Sequence, residues 1–497
     1  MIYGMFMYKG GENMQHEYRN ISMLMDLYEM TMANGYFTKE RTSDRVAFDV
    51  FYRRNPDDGG FAIFGGLEQI LEYITNLHFE EAEIEYFRSL NLFSTSFLEY
   101  LRTFRFTGDV YAFREGTVIY PNEPVMTIVA PLIDAQIVET AVLAMVNHQS
   151  LIATKANRIV RAAEGRMVSD FGARRAHNVD AAVYGARAAY IGGVYSTATV
   201  LAGQKFDIPV SGTMAHSWVM YYGSEYEAFK AYAEVYPDSS VFLVDTYDVL
   251  NSGVPNAIKV AKEVLEPKGH RLKGIRLDSG DLAYLAKQAR RMLDEAGLDD
   301  CKIIASNSLD EYTITSLLNQ GGPIDAFGVG ERLITSKSDP VFGAVYKIVG
   351  VEKEGEWRPR IKVSETVAKI TNPGLKKVYR VYSNATGQAI ADLLTLPHEV
   401  PCTESAYRYV DPEKPWRELY FEDCTFKDLQ ELVIEKGMQI VPSPSLEAIR
   451  NYVKHQLEHE IWEEEQRFDN PHGHYLDMSP EYYHMKMNLL SRIESRR

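Results

Sequence analysis

Four segments of the chain hold residues whose types and spacing could do chemistry. The first, SGTMAHSW at 211–218, has Gly212 where backbone could pass close to a ligand, with Thr213 and Ser217 flanking His216. That imidazole could act as a general base, a metal ligand or a phosphate acceptor. Asp245 ends the next apolar run. A carboxylate there could fix the imidazole tautomer and raise the nucleophilicity of its other nitrogen. The second segment, GIRLDSGD, alternates Arg276 and Asp278, which extended backbone points to one side. Arginine offers a planar fork to carboxylate or phosphate, and aspartate can take ribose hydroxyls or Mg²⁺; a purely structural Arg–Asp pair is the alternative. The third, FGVGERL, has Gly328 and Gly330 at a turn that could nest an anion, although a full GxGxxG fingerprint is missing. The fourth, DFGARR, offers Phe171 for stacking on a flat ring, followed by Arg174 and Arg175.

Such groups work only when rigid elements hold them. Apolar runs begin at 166 (RMVSDFG), 206 (FDIPVSG), 241 (VFLVDTY), 272 (LKGIRLD), 301 (CKIIASN), 323 (PIDAFGV) and 344 (AVYKIVG), with helical stretches between them. This alternation predicts parallel strands in βα units. Leu282, Leu285, Ala286, Ala289, Met292 and Leu293 mark one face of a helix that stops at Gly297. Ser308 and Glu311 are spaced as a capping box, and Pro255 suits a first helical turn. The C-terminal end of nearly every run is polar: Asp170 and Arg174; Thr213 and His216; Asp245; Arg276, Asp278 and Ser279; Ser306 and Asn307; Gly328 and Gly330. A closed parallel barrel would gather those ends on one rim, where its active site lies; a doubly wound open sheet is the alternative.

Changes of periodicity divide the chain into 1–135, with helix signals and then short strands; 136–370, the βα series; and 371–497, with mixed segments and the acidic stretch KHQLEHEIWEEEQRF, expected to be an exterior helix. In all, 53 Lys and Arg face 69 Asp and Glu, a net charge of −16, which excludes the basic footprint of a nucleic-acid or membrane-surface binder. Cys301, Cys402 and Cys424 are too few and too scattered for a disulfide framework, which fits a reducing, cytoplasmic setting. No apolar run suits a membrane span and no signal peptide is read at the N-terminus. His455 and His459, four residues apart on a glutamate-rich helix, and His472 and His474 in a loop give no metal set.

Taken together, these motifs resemble nicotinate phosphoribosyltransferase. The matching segments include DLYEMTMANGY, FYRRNPDDGGFAIFGGLE, DFGARRAHN, VYSTATVLAG, VSGTMAHSW, VDTYDVLNSG, IRLDSGDL, ASNSLDEY, FGVGERLITSKSDPVFGAVYKIVG and NPHGHYLDMS, in common order. The resemblance implies an incomplete parallel α/β barrel of the type II phosphoribosyltransferase kind, an α/β sandwich built from the N- and C-terminal regions, and a homodimer with shared active sites. It implies formation of nicotinate mononucleotide and pyrophosphate from nicotinate and phosphoribosyl pyrophosphate in NAD salvage, with Mg²⁺ and with ATP hydrolysis coupled through a phosphohistidine. It makes His216 the phosphorylated residue, Asp245 its supporting carboxylate, and Asp278 a group at the ribose side. It makes Phe171 and Tyr28, the latter from a neighbouring subunit, the aromatic pair around the pyridine. Arg276 falls at the pyridine, Arg174 and the Gly328–Gly330 turn near phosphates, and Thr213, Ser279 and Asn307 among the substrate contacts.

In related nicotinamide enzymes an aspartate stands where Ala198 falls here, and an anion there would repel nicotinate. Glu331 stands where relatives carry threonine, Asp57 where an aromatic is common, and residues 1–20 have no counterpart. The alternatives are a nicotinamide or quinolinate phosphoribosyltransferase, a non-catalytic pyridine-nucleotide-binding barrel, and a metal-dependent barrel lyase.

Overall fold

In the computed structural model of the chain, five of the seven expected strands join one parallel sheet. Its strands are β1 (Met167–Asp170), β2 (Ser196–Thr197), β3 (Val241–Leu243), β4 (Gly274–Leu277), β5 (Lys302–Ser306) and β6 (Ala326–Val329), in spatial order β2-β1-β6-β5-β4-β3. Residues 19–364, 369–402 and 406–494 are described; all but the last two of residues 1–20, the stretch without a counterpart, fall outside them. Among the described residues β2 and β3 stay unpaired with one another, so the fold is a mixed α/β arrangement around a parallel sheet, and the closed form of barrel that would gather the strand ends on one rim is not found.

Two of the expected strands differ. The run at 206 contributes only an isolated bridge, Val210 to Thr197, because Pro209 removes a ladder donor and residues up to Phe206 belong to the helix Val200–Phe206. The edge strand of the sheet is β2, in STAT, to which that bridge is made. The run at 344 becomes the strand Val345–Lys353, which pairs antiparallel with Arg45–Phe51 in a different sheet. An apolar run specifies burial but not its partner.

The chain divides into two compact units. The first, spanning 152–340 among described residues, contains the parallel sheet. Helices follow the sequence grammar: Leu282–Glu295 is capped by Asp281, whose carboxylate accepts from the Tyr284 amide at 3.0 Å, and Gly297 takes φ +71° just past its end. The cap of Glu311–Asn319 differs from expectation. Asp310 accepts from the Thr313 amide at 2.8 Å, because Asn307 and Ser308 spend their positions on a left-handed turn at φ +79° and +53°.

The second unit, 16–151 with 341–497, holds a seven-stranded antiparallel sheet and a smaller four-stranded one. Its core packs Phe48, Tyr52, Phe64, Phe97, Phe113 and Tyr346, all buried. The acidic stretch near the C-terminus is broken. The helix Leu446–His455 widens into Gln456–Glu460 and ends, and Glu465 is buried, accepting from the Tyr120 hydroxyl at 2.6 Å. His474, expected in a bland loop, is also buried: it lies face to face on Tyr120 with ring centroids 3.7 Å apart, and reaches Glu465 at 3.2 Å. These carboxylates and Asp392 hold its pKa above the usual histidine value against the effect of burial. No helix among the described residues is long and apolar enough to cross a membrane.

Candidate active site

Parallel strands β1, β4, β5 and β6 end together, so the side chains just beyond them converge. His216 opens the helix His216–Tyr222, and its Nδ1 lies 3.1 Å from the Thr246 hydroxyl. Its Nε2 faces two carboxylates, 3.9 Å from Asp245 Oδ1 and 3.9 Å from Asp278 Oδ2. The Asp245 side chain is 1% exposed, yet only one of its oxygens is used: Oδ2 accepts from the Asp278 amide at 2.9 Å and the Ser279 hydroxyl at 2.6 Å. Oδ1 is buried with no hydrogen-bond partner and points toward the imidazole. A buried, half-satisfied carboxylate costs free energy unless a ligand or a cation completes it.

Asp278 is held in turn by Ser306, whose hydroxyl donates to Oδ1 at 2.5 Å, and Arg276 Nη2 lies 3.9 Å from the same oxygen. Arg276 donates from Nη1 to the Thr213 hydroxyl, and its carbon Cζ sits 6.0 Å from the centre of the Phe171 ring. Its Nε is buried without a partner. Burial holds the guanidinium pKa below its ordinary value, though Asp278 and Asp245 oppose the shift. Arg276 and Phe171 therefore face one another across a gap, with an unmet donor buried alongside.

Phe171 is positioned by the strand beneath it. Asp170 is buried, accepts from the Gly172 amide and the Thr197 hydroxyl at 2.8 Å each, and so fixes the turn. Gly328 is required by the ring: a Cβ there would fall 2.4 Å from Phe171 Cε2. The substitution Gly328→Ala should force the ring aside and cost about 1–3 kcal/mol of stability. Thermal unfolding checks this, and an unchanged midpoint would remove the contact from the account.

The structure thus brings His216, Asp245, Asp278, Ser279, Arg276, Thr213, Phe171 and Gly328 into one connected set. Arg174 and Asn307 are exposed near strand ends, and Gly330 precedes the single-turn helix Glu331–Ile334. Glu331 is paired with Lys337 at 2.7 Å, which lowers its pKa and turns its charge to a local partner. Tyr28 belongs to the other unit, exposed on the helix Leu27–Thr38 beside the exposed Leu24, Leu27 and Met32. Burial and Glu139 push its phenol pKa up.

Two members of the set were not singled out in the sequence. Thr246, next to Asp245, fixes one imidazole nitrogen. Ser306, noticed only as a polar strand end, orients Asp278. Two neighbouring carboxylates suit Mg²⁺, which keeps most of its waters and needs few protein oxygens. The orphaned Asp245 Oδ1 fits such a role. Among the described residues no cluster of three or more His, Cys, Asp or Glu could enclose a metal by itself.

Three family models match the chain: the nicotinate phosphoribosyltransferase (NAPRTase) N-terminal domain over 23–147, the family itself over 167–387, and the C-terminal domain over 375–486. A relative from Bacillus subtilis (strain 168), named nicotinate phosphoribosyltransferase, is 44% identical over 479 residues, 96% of each chain. The crystal structure of human nicotinic acid phosphoribosyltransferase superposes with a TM-score of 0.82 at 28% identity, covering 94% of this chain and 100% of that one. A nicotinate-nucleotide pyrophosphorylase from Pyrococcus furiosus superposes with a TM-score of 0.66 at 26% identity, over 89% of this chain and 98% of its own.

Proposed function

The chain belongs to the nicotinate phosphoribosyltransferase family, and from that premise we propose that it joins nicotinate to phosphoribosyl pyrophosphate for NAD salvage, with ATP hydrolysis coupled through phosphorylation of His216. The observation that carries the reading is the placement of His216 Nε2 against two carboxylates while Arg276 and Phe171 face one another beside them.

Nicotinate enters between Phe171 and a second ring, its carboxylate meeting the unpaired Nε and the fork of Arg276. The second ring is Tyr28 of the partner subunit in a homodimer, a role supported by its exposure within an apolar patch. The pyridine nitrogen forms a bond to the anomeric carbon as the bond to pyrophosphate breaks, with the electron pair leaving on the pyrophosphate. Charge on the ribose is positive in the transition state, and the Asp278 carboxylate stabilises it. Asp245 and Asp278 would hold Mg²⁺, which would supply positive charge to neutralise the pyrophosphate leaving group. Backbone amides of the Gly328–Gly330 turn, with Arg174, receive phosphate groups.

Thr246 at Nδ1 leaves the Nε2 lone pair available for attack on the ATP γ-phosphorus, with ADP as leaving group. The phosphoryl group then stands next to Asp245 and Asp278, and like-charge repulsion keeps the intermediate reactive toward water. The incomplete barrel of this enzyme class belongs to the same proposal, supported by six parallel strands in one sheet.

Product analysis tests the reading. Nicotinate, nicotinamide and quinolinate are each supplied with phosphoribosyl pyrophosphate and Mg²⁺, with and without ATP. Mononucleotide is expected from nicotinate, faster with ATP; turnover of nicotinamide alone would overturn the assignment. Substrate choice follows from Ala198, exposed just past β2 with its amide bonded to the Asp170 carbonyl at 2.8 Å. An aspartate there should lower kcat/KM for nicotinate at least about tenfold, a modest like-charge penalty of roughly 1.4 kcal/mol, while sparing nicotinamide.

A further inference from the structure

A cavity of about 540 Å³ opens at the opposite, N-terminal ends of the same strands. Its floor is apolar: Met167 of β1, Val241 of β3, Ile304 of β5 and Ala326 of β6 pack together there. Its wall carries Arg166, Lys273, Arg290 and Lys302 with the carboxylates of Asp299 and Asp325, and just outside the lining Glu164 pairs with Arg166 at 3.5 Å and Asp294 with Arg290 at 2.7 Å. Among the residues that line the cavity four cations stand with two carboxylates, in a chain carrying a net charge of −16.

The cations are placed differently. Arg290 is pinned by the carbonyls of Cys301 at 2.6 Å and Leu298 at 2.7 Å, and Arg166 by the Ile324 carbonyl at 3.0 Å. Lys302 shares Asp325 at 3.1 Å. Among the described residues nothing stands within hydrogen-bond or ion-pair distance of the Lys273 ammonium. Two fixed guanidiniums, each with an outlying carboxylate partner, and the Lys273 ammonium, whose charge also reaches Asp300, stand above an apolar floor and can receive an anion with an apolar body.

The strands that floor the cavity also carry the active site, on the same face. Side chains two apart on a strand share a side. Lys302 and Ile304 line the cavity, and Ser306, next in that series, holds Asp278. Ile304 is also the register partner of Arg276, and Ala326 precedes Gly328 by one such step. One step is about 6.6 Å of strand. An occupant that presses on Ile304 or Ala326 thus acts on the backbone that positions Arg276, Asp278 and the Phe171 ring.

We propose that this cavity is an effector site for a small organic anion, an aromatic or alicyclic body bearing a phosphate or carboxylate, and that its occupancy alters turnover at the far ends of the strands. Binding rests on the cavity alone; the effect on turnover also rests on the reading of the activity above.

The test is calorimetric titration of the full chain with 1-naphthyl phosphate, 1-naphthoate and inorganic phosphate, followed by initial rates of nicotinate turnover. The two naphthyl anions are the expected ligands, and which binds more tightly identifies the anionic group. Inorganic phosphate, lacking the body, should bind at least tenfold more weakly. Lys273→Glu should weaken naphthyl binding fivefold or more while leaving basal turnover unchanged, and Phe171→Ala, at the other end of the strands, should leave it within twofold. Ile304→Phe, which fills the floor, should weaken it too; Lys273→Glu changes a partly exposed side chain and carries the test if the filled core folds poorly. In the wild type the ligand should change the rate without competing with nicotinate, and Lys273→Glu should lose that response. Binding insensitive to Lys273→Glu, or lost with Phe171→Ala, would place the ligand elsewhere and overturn the site. Binding that leaves all rates unchanged would overturn the coupling while leaving the activity assignment untouched.

Discussion

Replacing His216 by alanine should abolish the stimulation of turnover by ATP and leave a slow, ATP-independent formation of mononucleotide. Nε2 of His216, whose side chain is partly exposed, lies against Asp245 and Asp278. Losing a positioned acid–base or nucleophilic group of this kind costs about 10²–10⁴ in rate, and the lower part of that range is expected because the ring slot and the ribose carboxylate remain. The wild type treated with γ-labelled ATP should acquire acid-labile label, and His216→Ala should acquire none. An ATP-stimulated rate equal to that of the wild type would remove the phosphohistidine from the mechanism. Thr246→Val offers a finer test, because it deletes only the hydroxyl at Nδ1 and should lower the labelling rate without preventing it.

The second large effect belongs to Arg276. With its Nη1 on Thr213 and its Nε buried and unmet, the guanidinium is held ready for an anion rather than satisfied by the protein. Arg276→Ala should raise KM for nicotinate about 10–150-fold, the equivalent of a charge-assisted hydrogen bond of roughly 1.5–3 kcal/mol. Arg276→Lys should recover part of the loss, since an ammonium keeps the charge but not the planar fork. Steady-state kinetics with nicotinate varied reads both, and circular dichroism controls for folding. A KM within twofold of the wild type in Arg276→Ala would separate this residue from the substrate carboxylate. KM for phosphoribosyl pyrophosphate should move much less, which distinguishes a local contact from general damage.

Much of this site was legible before any coordinates. The polar residues that end apolar runs, Asp170, Asp245, Asp278 and Ser306 among them, lie where βα grammar placed them. Helices with a clear apolar stripe and a terminal glycine, such as Leu282–Glu295, were equally readable. Short or ambiguous elements were not. β2 has two residues, too few for any period, and its neighbour at 206 imitated a strand until Pro209 denied it a ladder. Val345–Lys353 has the composition of a barrel strand and is committed to another sheet. The cap of Glu311–Asn319 escapes the local pattern because Asn307 and Ser308 turn left-handed first, handing the role to Asp310.

The amino-acid sequence by itself determined which chemical groups exist, which of them end strands, and the family to which the chain belongs. Tertiary structure alone decided the pairings. Thr246 meets His216 across 30 residues, Ser306 meets Asp278 across 28, and Asp245 is left with one unmet oxygen. Arg166, Lys273, Arg290 and Lys302 look like scattered surface charge along the chain and become one wall only when strand register levels three of them and the helix Leu282–Glu295 adds Arg290. The physical reason is that propensity and periodicity act over a few neighbouring residues. Distance between remote side chains is set by register and packing, which no local pattern encodes.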